Sequence, residues 1–123
     1  MKAICLCGSF RFYAEMVDLS TVLQARGIIC EWPTFGPRRD PQAMTPDEAK
    51  EAITRHLERM DRADLIVVFN RDGYLGNSVV MEIGYAYARR KPIYVLAPIQ
   101  DLFLMSLVTA VVSLEDLLHL ARR

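Results

Sequence analysis

The sequence predicts a single doubly wound α/β domain, a parallel sheet of about five strands with helices on both faces. Three observations predict it. Short apolar runs alternate with segments of helical periodicity along the chain. One run, Leu65–Phe69, is apolar at every position, as expected of a parallel strand buried on both faces. The length of 123 residues suits one domain, and 52% apolar against 24% charged residues supplies a core and excludes disorder. The pattern is flavodoxin- or Rossmann-like, with one domain over 1–123.

Taken in order, residues 3–7 form an apolar run that stops at Gly8-Ser9, a buried strand. Phe12, Met16, Leu19 and Leu23 then recur at helical spacing, and Gly27 closes that helix. Residues 28–32 read as the second strand. Thr45 supplies an N-cap, Pro46 the first helical position and Glu48 the partner three residues after the cap. Ala49, Ala52, Ile53, Leu57 and Met60 make that helix's inward stripe. Leu65–Phe69 is the third strand, 78–90 a helix and 93–97 the fourth strand. Residues 102–107 are ambiguous, 108–112 read as a short fifth strand, and Ser113 starts a last helix over 114–121. No internal repeat or low-complexity segment is present.

Composition excludes several classes of function. Lys+Arg and Asp+Glu each number 15, and a pI near 6.7 argues against a polymeric nucleic acid, which needs a basic face. A single nucleotide stays open, since a few local groups meet its charge. No apolar run approaches the roughly 18–20 residues of a membrane span, and the N-terminus lacks a signal-peptide layout. The three cysteines, Cys5, Cys7 and Cys30, sit in apolar runs and read as reduced thiols, so the expected setting is cytoplasmic. Cys5 and Cys7 are two apart and share one face of a strand. They read as small buried hydrophobes, and the spacing offers no further ligands for a metal.

In such a sheet ligands bind beyond the carboxyl ends of the strands, at the switch in strand order. That rule selects the turn after the first strand, residues 70–78 after the third, and the connection over 31–46, which holds four prolines. Such a connection is long for a compact domain, where roughly 2–6 residues is usual, and so reads as functional. Gly8, Ser9 and Arg11 form a strand-to-helix turn in which backbone N–H groups, a hydroxyl and a forked cation suit a phosphate. The plain alternative is a Ser N-cap followed by a surface Arg. Glu82 falls in the first turns of the helix over 78–90, whose positive end favours a carboxylate and points at the ligand crevice. A carboxylate held there can attack an electrophilic carbon, although acids are also ordinary in first helical turns. Gly84, Ala86 and Ala88 suggest tight packing of this helix, and Tyr85 and Arg89 share a face with Glu82. Phe12, Tyr13, Trp32 and Phe35 are candidates to stack on a base, Phe12 belonging more naturally to the core stripe.

The run Glu82-Ile83-Gly84-Tyr85-Ala86-Tyr87-Ala88, followed by Lys91-Pro92 and an apolar strand, resembles the signature of the nucleoside 2-deoxyribosyltransferase superfamily. Residues 7–11 near the N-terminus and Ala63-Asp64 before the third strand resemble it too, so the likeness extends from residue 3 to about residue 98. That superfamily includes deoxyribosyltransferases and N-glycosidases of deoxynucleoside 5′-monophosphates. The resemblance implies that Glu82 is the nucleophile and that Ser9 and Arg11 hold a 5′-phosphate. It implies that Ser78, with the Gly76 and Asn77 backbone, lines the sugar and phosphate. It further implies a homodimer or larger assembly in which a segment near Ser106 reaches the neighbouring subunit's site. Where the family usually carries an Asp before the third strand, this chain has His56. His56 is expected to face solvent, with a general-acid role as the alternative. Asp72 is the candidate to protonate the leaving base.

The expected function is thus cleavage or transfer of the N-glycosidic bond of a 2′-deoxyribonucleoside or its 5′-monophosphate, with no metal or organic cofactor. A nucleotide-binding module without turnover is the alternative. A flavodoxin-like FMN reductase is a third reading, disfavoured because Phe12, Tyr13 and Ala14 follow Arg11 where Ser/Asn residues are expected.

Overall fold

The computed structural model describes residues 1–33 and 43–123. Strands β1 (Ile4–Gly8), β2 (Cys30–Glu31), β3 (Leu65–Phe69), β4 (Ile93–Val95) and β5 (Ala110–Val111) form one sheet in the order β2-β1-β3-β4-β5. Every neighbouring pair is parallel. Helices α1 (Tyr13–Ala25), α2 (Pro46–Arg62), α3 (Asn77–Ala88), α4 (Leu102–Ser106) and α5 (Leu114–Arg122) connect and cover the strands. The chain order thus reverses between β1 and β3, which puts the crevice above their carboxyl ends. Among the described residues no helix is long and apolar enough to cross a membrane.

The pleat sorts the core into two halves. Ile4, Leu6, Leu65, Val67 and Tyr94 pack with Met16 and Leu23 of α1 and with Leu117 and Ala121 of α5. Cys5, Cys7, Ile66, Val68, Ile93 and Val95 turn to the other face and meet Met60 of α2 and Val79, Ile83 and Ala86 of α3. The capping box expected at Thr45 forms, and Ser113, expected only to start the last helix, makes a second one. Thr45 pairs with Glu48 at the start of α2, and Ser113 with Asp116 at the start of α5.

Element ends differ from the sequence reading where local bonds intervene. The first helix is preceded by a 3₁₀ turn, Phe10–Phe12, capped by the Ser9 hydroxyl, so α1 starts at Tyr13. The edge strands are shorter than expected. β2 holds only Cys30–Glu31, and β5 only Ala110–Val111, because each pairs on one side alone. The fourth strand stops at Val95 because Asn70 takes over the next backbone groups: Leu96 and Ala97 N–H donate to its Oδ1 (3.1 and 3.0 Å), and its Nδ2 donates to Ala97 O at 2.8 Å. The ambiguous segment is helix α4, started by the Asp101 side chain accepting from Leu104 N–H. The expected tight packing along α3 holds for Ala86 alone. A Cβ on Gly84 would meet nothing, and Ala88 is exposed. Tyr85 and Arg89 instead reach Asp61 on α2.

Candidate active site

A cavity of about 510 Å³ opens at the carboxyl edge of β1 between α2 and α3. Gly8 forms part of its floor. A Cβ there would stand 2.6 Å from Met16 Sδ of α1 and 3.2 Å from Phe69 O of β3, so the close approach of both favours glycine. Phe10, Pro33, Met44, Ala49, Ala52 and Ile53 give mainly apolar walls, and Lys50, Ser78, His56 and Glu82 supply the polar groups. The N-terminal half of the α2 stripe therefore faces a cavity, and only its C-terminal half, at Met60, enters the core.

Glu82 is 5% exposed, and its Oε1 has no hydrogen-bond partner among the described residues. An isolated carboxylate taken from water costs several kcal/mol unless it is paired, so its neighbours matter. The nearest is His56, whose Nε2 lies 3.5 Å from Oε1. The expectation of a solvent-facing His56 is therefore corrected. At 2% exposure it is buried, because it continues the stripe of α2 one turn beyond Ala52 and Ile53 and lies over β1. The same Nε2 is 3.3 Å from Cys7 Sγ. The Cys7 thiol is held well above its ordinary pKa, first by its hydrogen bond with Cys5, then by burial and the Glu82 carboxylate.

Of the residues picked out from the sequence, Gly8, Ser78 and Glu82 line this cavity. Ser9 and Gly76 adjoin it as a pair, since a Cβ on Gly76 would lie 3.6 Å from Ser9 Oγ. The Ser9 hydroxyl accepts from Arg11 N–H at 3.3 Å. The Arg11 guanidinium lies 3.7 Å from the centroid of the Tyr74 ring, an exposed cation–π pair. Asn77 is exposed in the first turn of α3. Other candidates lie outside the cavity lining. Tyr13 is half-buried and stacks on Phe10 with centroids 5.9 Å apart, so Phe10, not Tyr13, presents its ring to the cavity. Trp32 packs against the α1/α5 half of the core and lines a separate recess of about 200 Å³ with Cys30, Glu31 and Arg59. Asp72 is exposed in a 3₁₀ turn with φ of 58°. Ser106 is exposed on α4, its hydroxyl donating to Phe103 O at 2.6 Å. Phe35 and the middle of the proline-bearing connection lie outside the described residues. Sequence reasoning missed Phe10, which a helix begun at Phe12 had left in a turn, and the burial of His56, which the α2 periodicity could have revealed.

No family model matches the chain, and no curated protein matches it by sequence. Solved structures match in fold. A conserved protein from Enterococcus faecalis V583 aligns with a TM-score of 0.64 at 21% identity, over 99% of this chain and 98% of that one. A 2-deoxyribosyltransferase from Bacillus psychrosaccharolyticus aligns with a TM-score of 0.71 at 17% identity, over 94% of this chain and 89% of the other. At these identities the likeness is one of architecture, and the chain has the fold of that 2-deoxyribosyltransferase.

Proposed function

We propose that the protein cleaves or transfers the N-glycosidic bond of a 2′-deoxyribonucleoside or its 5′-monophosphate, with Glu82 as nucleophile. The observation that carries this reading is the buried carboxylate of Glu82, one oxygen of it without a hydrogen-bond partner among the described residues, in the lining of a mostly apolar cavity at the switch point of the sheet. Glu82 attacks the anomeric carbon as the ring gains oxocarbenium character. The C–N bond breaks and the base leaves with the electron pair, taking up a proton. Water or a second base then attacks the glycosyl ester and frees the carboxylate. His56 acts as a positioning residue whose buried ring lies beside the carboxylate, with Nε2 3.5 Å from Oε1. The flat walls of Phe10, Pro33, Met44 and Ile53 suit a base. The Ser9–Arg11 turn beside Gly76 and the N-terminus of α3 suit a 5′-phosphate, which favours the monophosphate and water as acceptor.

The same reading expects a homodimer or larger assembly built on α4, where Leu102 and Phe103 are 77% and 82% exposed. One observation favours a second reading, a nucleotide-binding module without turnover: His56 stands where the resembled family usually has an Asp. Chromatography of free base released from deoxynucleosides and their 5′-monophosphates, with and without a second base, separates the two. Release that disappears in Glu82→Gln is expected. A folded protein that binds monophosphates by calorimetry yet releases no base overturns the enzyme reading.

A further inference from the structure

The reaction outlined above leaves two buried nucleophilic side chains unused. Cys5 and Cys7 lie on the α2/α3 face of β1, fully buried. Helix α2 lays His56 over them, so that the donor atoms of Cys5, Cys7 and His56 all lie within 4.8 Å of one another. A fourth donor stands beside the group on a different element, near His56 but outside the 4.8 Å cluster. Glu82 Oε1 on α3 is buried, lacks a hydrogen-bond partner among the described residues and stands 3.5 Å from His56 Nε2.

We propose that Cys5, Cys7, His56 and Glu82 form a binding site for one thiophilic divalent cation of the zinc class. Two sulfurs, an imidazole nitrogen and a carboxylate oxygen are the donor set that a d¹⁰ cation takes tetrahedrally. With bonds of about 2.0–2.3 Å, tetrahedral donors stand roughly 3.3–3.8 Å apart. Cys7 Sγ to His56 Nε2 is 3.3 Å and His56 Nε2 to Glu82 Oε1 is 3.5 Å, so two edges of the tetrahedron are already close to that length. The two remaining edges among the first three donors, Cys5–Cys7 and Cys5–His56, need to close by at most about 1 Å, within the reach of a thiol rotation, and the Glu82 carboxylate turns toward the sulfurs to complete the tetrahedron. On binding, the cation forms two metal–sulfur bonds and releases both thiol protons to solvent. It takes the Nε2 lone pair of neutral His56, whose proton then sits on Nδ1, and it binds the Glu82 carboxylate. The cavity gives an entry path, since His56 and Glu82 both line it. Bound metal would occupy Glu82, so the cation is an inhibitor. Only that consequence rests on the function proposed above, and the site itself does not.

The test is a titration of the reduced full-length protein with Cd²⁺ alone, followed by its thiolate-to-metal ultraviolet absorption, and then displacement by Zn²⁺. One equivalent with a thiolate band is expected. Cys7→Ala should abolish the band, and Cys5→Ala and His56→Gln should weaken binding by at least about 100-fold. Cys30→Ala should leave the titration unchanged, because Cys30 packs in the opposite half of the core. Should the cysteine variants not fold, His56→Gln and Glu82→Gln keep both thiols and must still weaken binding. A wild type without a thiolate band at micromolar Cd²⁺, or a band lost in Cys30→Ala, overturns the proposal. Turnover is not part of the readout, so an inactive protein that binds the cation leaves the site standing.

Discussion

Asn70 is the residue whose removal should cost the fold most among the polar groups at the crevice. It is fully buried where β3 ends and makes three hydrogen bonds to the backbone of residues 96 and 97, at 2.8, 3.0 and 3.1 Å. These bonds reinforce and extend the ladder between β3 and β4, in which Leu96 N–H still donates to Val68 O at 3.3 Å, and so hold the two carboxyl ends together. In Asn70→Ala the Ala97 N–H and carbonyl lose this partner at once, and Leu96 N–H keeps only its 3.3 Å bond to Val68 O. Each bond contributes about 1 kcal/mol net, and a buried group left unsatisfied costs about 1–3 kcal/mol, so a loss of about 3–5 kcal/mol follows once partial hydration is allowed. For a domain of this size that lowers the melting temperature by roughly 10–20 °C. Asn70→Asp keeps the acceptor but turns a second oxygen toward Ala97 O, so it should not rescue. Urea denaturation followed by circular dichroism measures both variants. A change below about 1 kcal/mol in Asn70→Ala would show that the three bonds are not a structural clamp.

Arg11→Ala should weaken binding of a deoxynucleoside 5′-monophosphate by about 1.5–3 kcal/mol and leave the nucleoside nearly unaffected, as read by calorimetry. Equal losses for both ligands would assign Arg11 to its stacking on Tyr74 instead. Phe103→Asp should convert an assembled protein to monomers in light scattering and lower base release with it, because the ring is among the most exposed apolar groups described. A fully active wild-type monomer would refute that. Cd²⁺ affinity should rise with pH, by about one log unit per unit for the proton that Cys7 must lose. The sign follows from the raised pKa of Cys7, which leaves the thiol protonated near neutrality, and a flat profile would exclude Cys7 as a ligand.

The fold was legible because its signals are local. Leu65–Phe69 is apolar throughout and matches β3 residue for residue, and Thr45 and Ser113 announce their helices through caps that need only three neighbouring residues. The site was legible in part. Gly8, Ser78 and Glu82 follow from the rule that loops at the carboxyl edge meet at the switch point. Directions were harder to read. Trp32 is two residues after Cys30 and so takes the same side of the sheet, toward α1 and α5 and away from Glu82. The contact of His56 with Cys7 spans 49 residues of sequence. It depends on which turn of α2 crosses β1, and helical periodicity does not specify that. The position itself falls on the inward stripe of α2, and only the polar identity of the ring argued for solvent.

Glu82 offers a way to separate a structural carboxylate from a functional one. A structural acid is held by its partners, and its loss leaves them unsatisfied at a cost of several kcal/mol. Here one oxygen has no hydrogen-bond partner among the described residues, and the imidazole beside it stands too far away for a good bond. Burying such a carboxylate works against folding, and a neutral amide of nearly the same shape removes that cost. Glu82→Gln should therefore melt at or above the wild-type temperature while base release falls by about four orders of magnitude, the scale of losing a nucleophile. Scanning calorimetry beside the chromatographic assay reads both quantities on one preparation. Stability held with activity lost is the signature of a group kept for chemistry at the expense of the fold. If Glu82→Gln instead destabilises the protein by several kcal/mol, the carboxylate is a structural partner of α2, and the nucleophile must be sought elsewhere along the crevice.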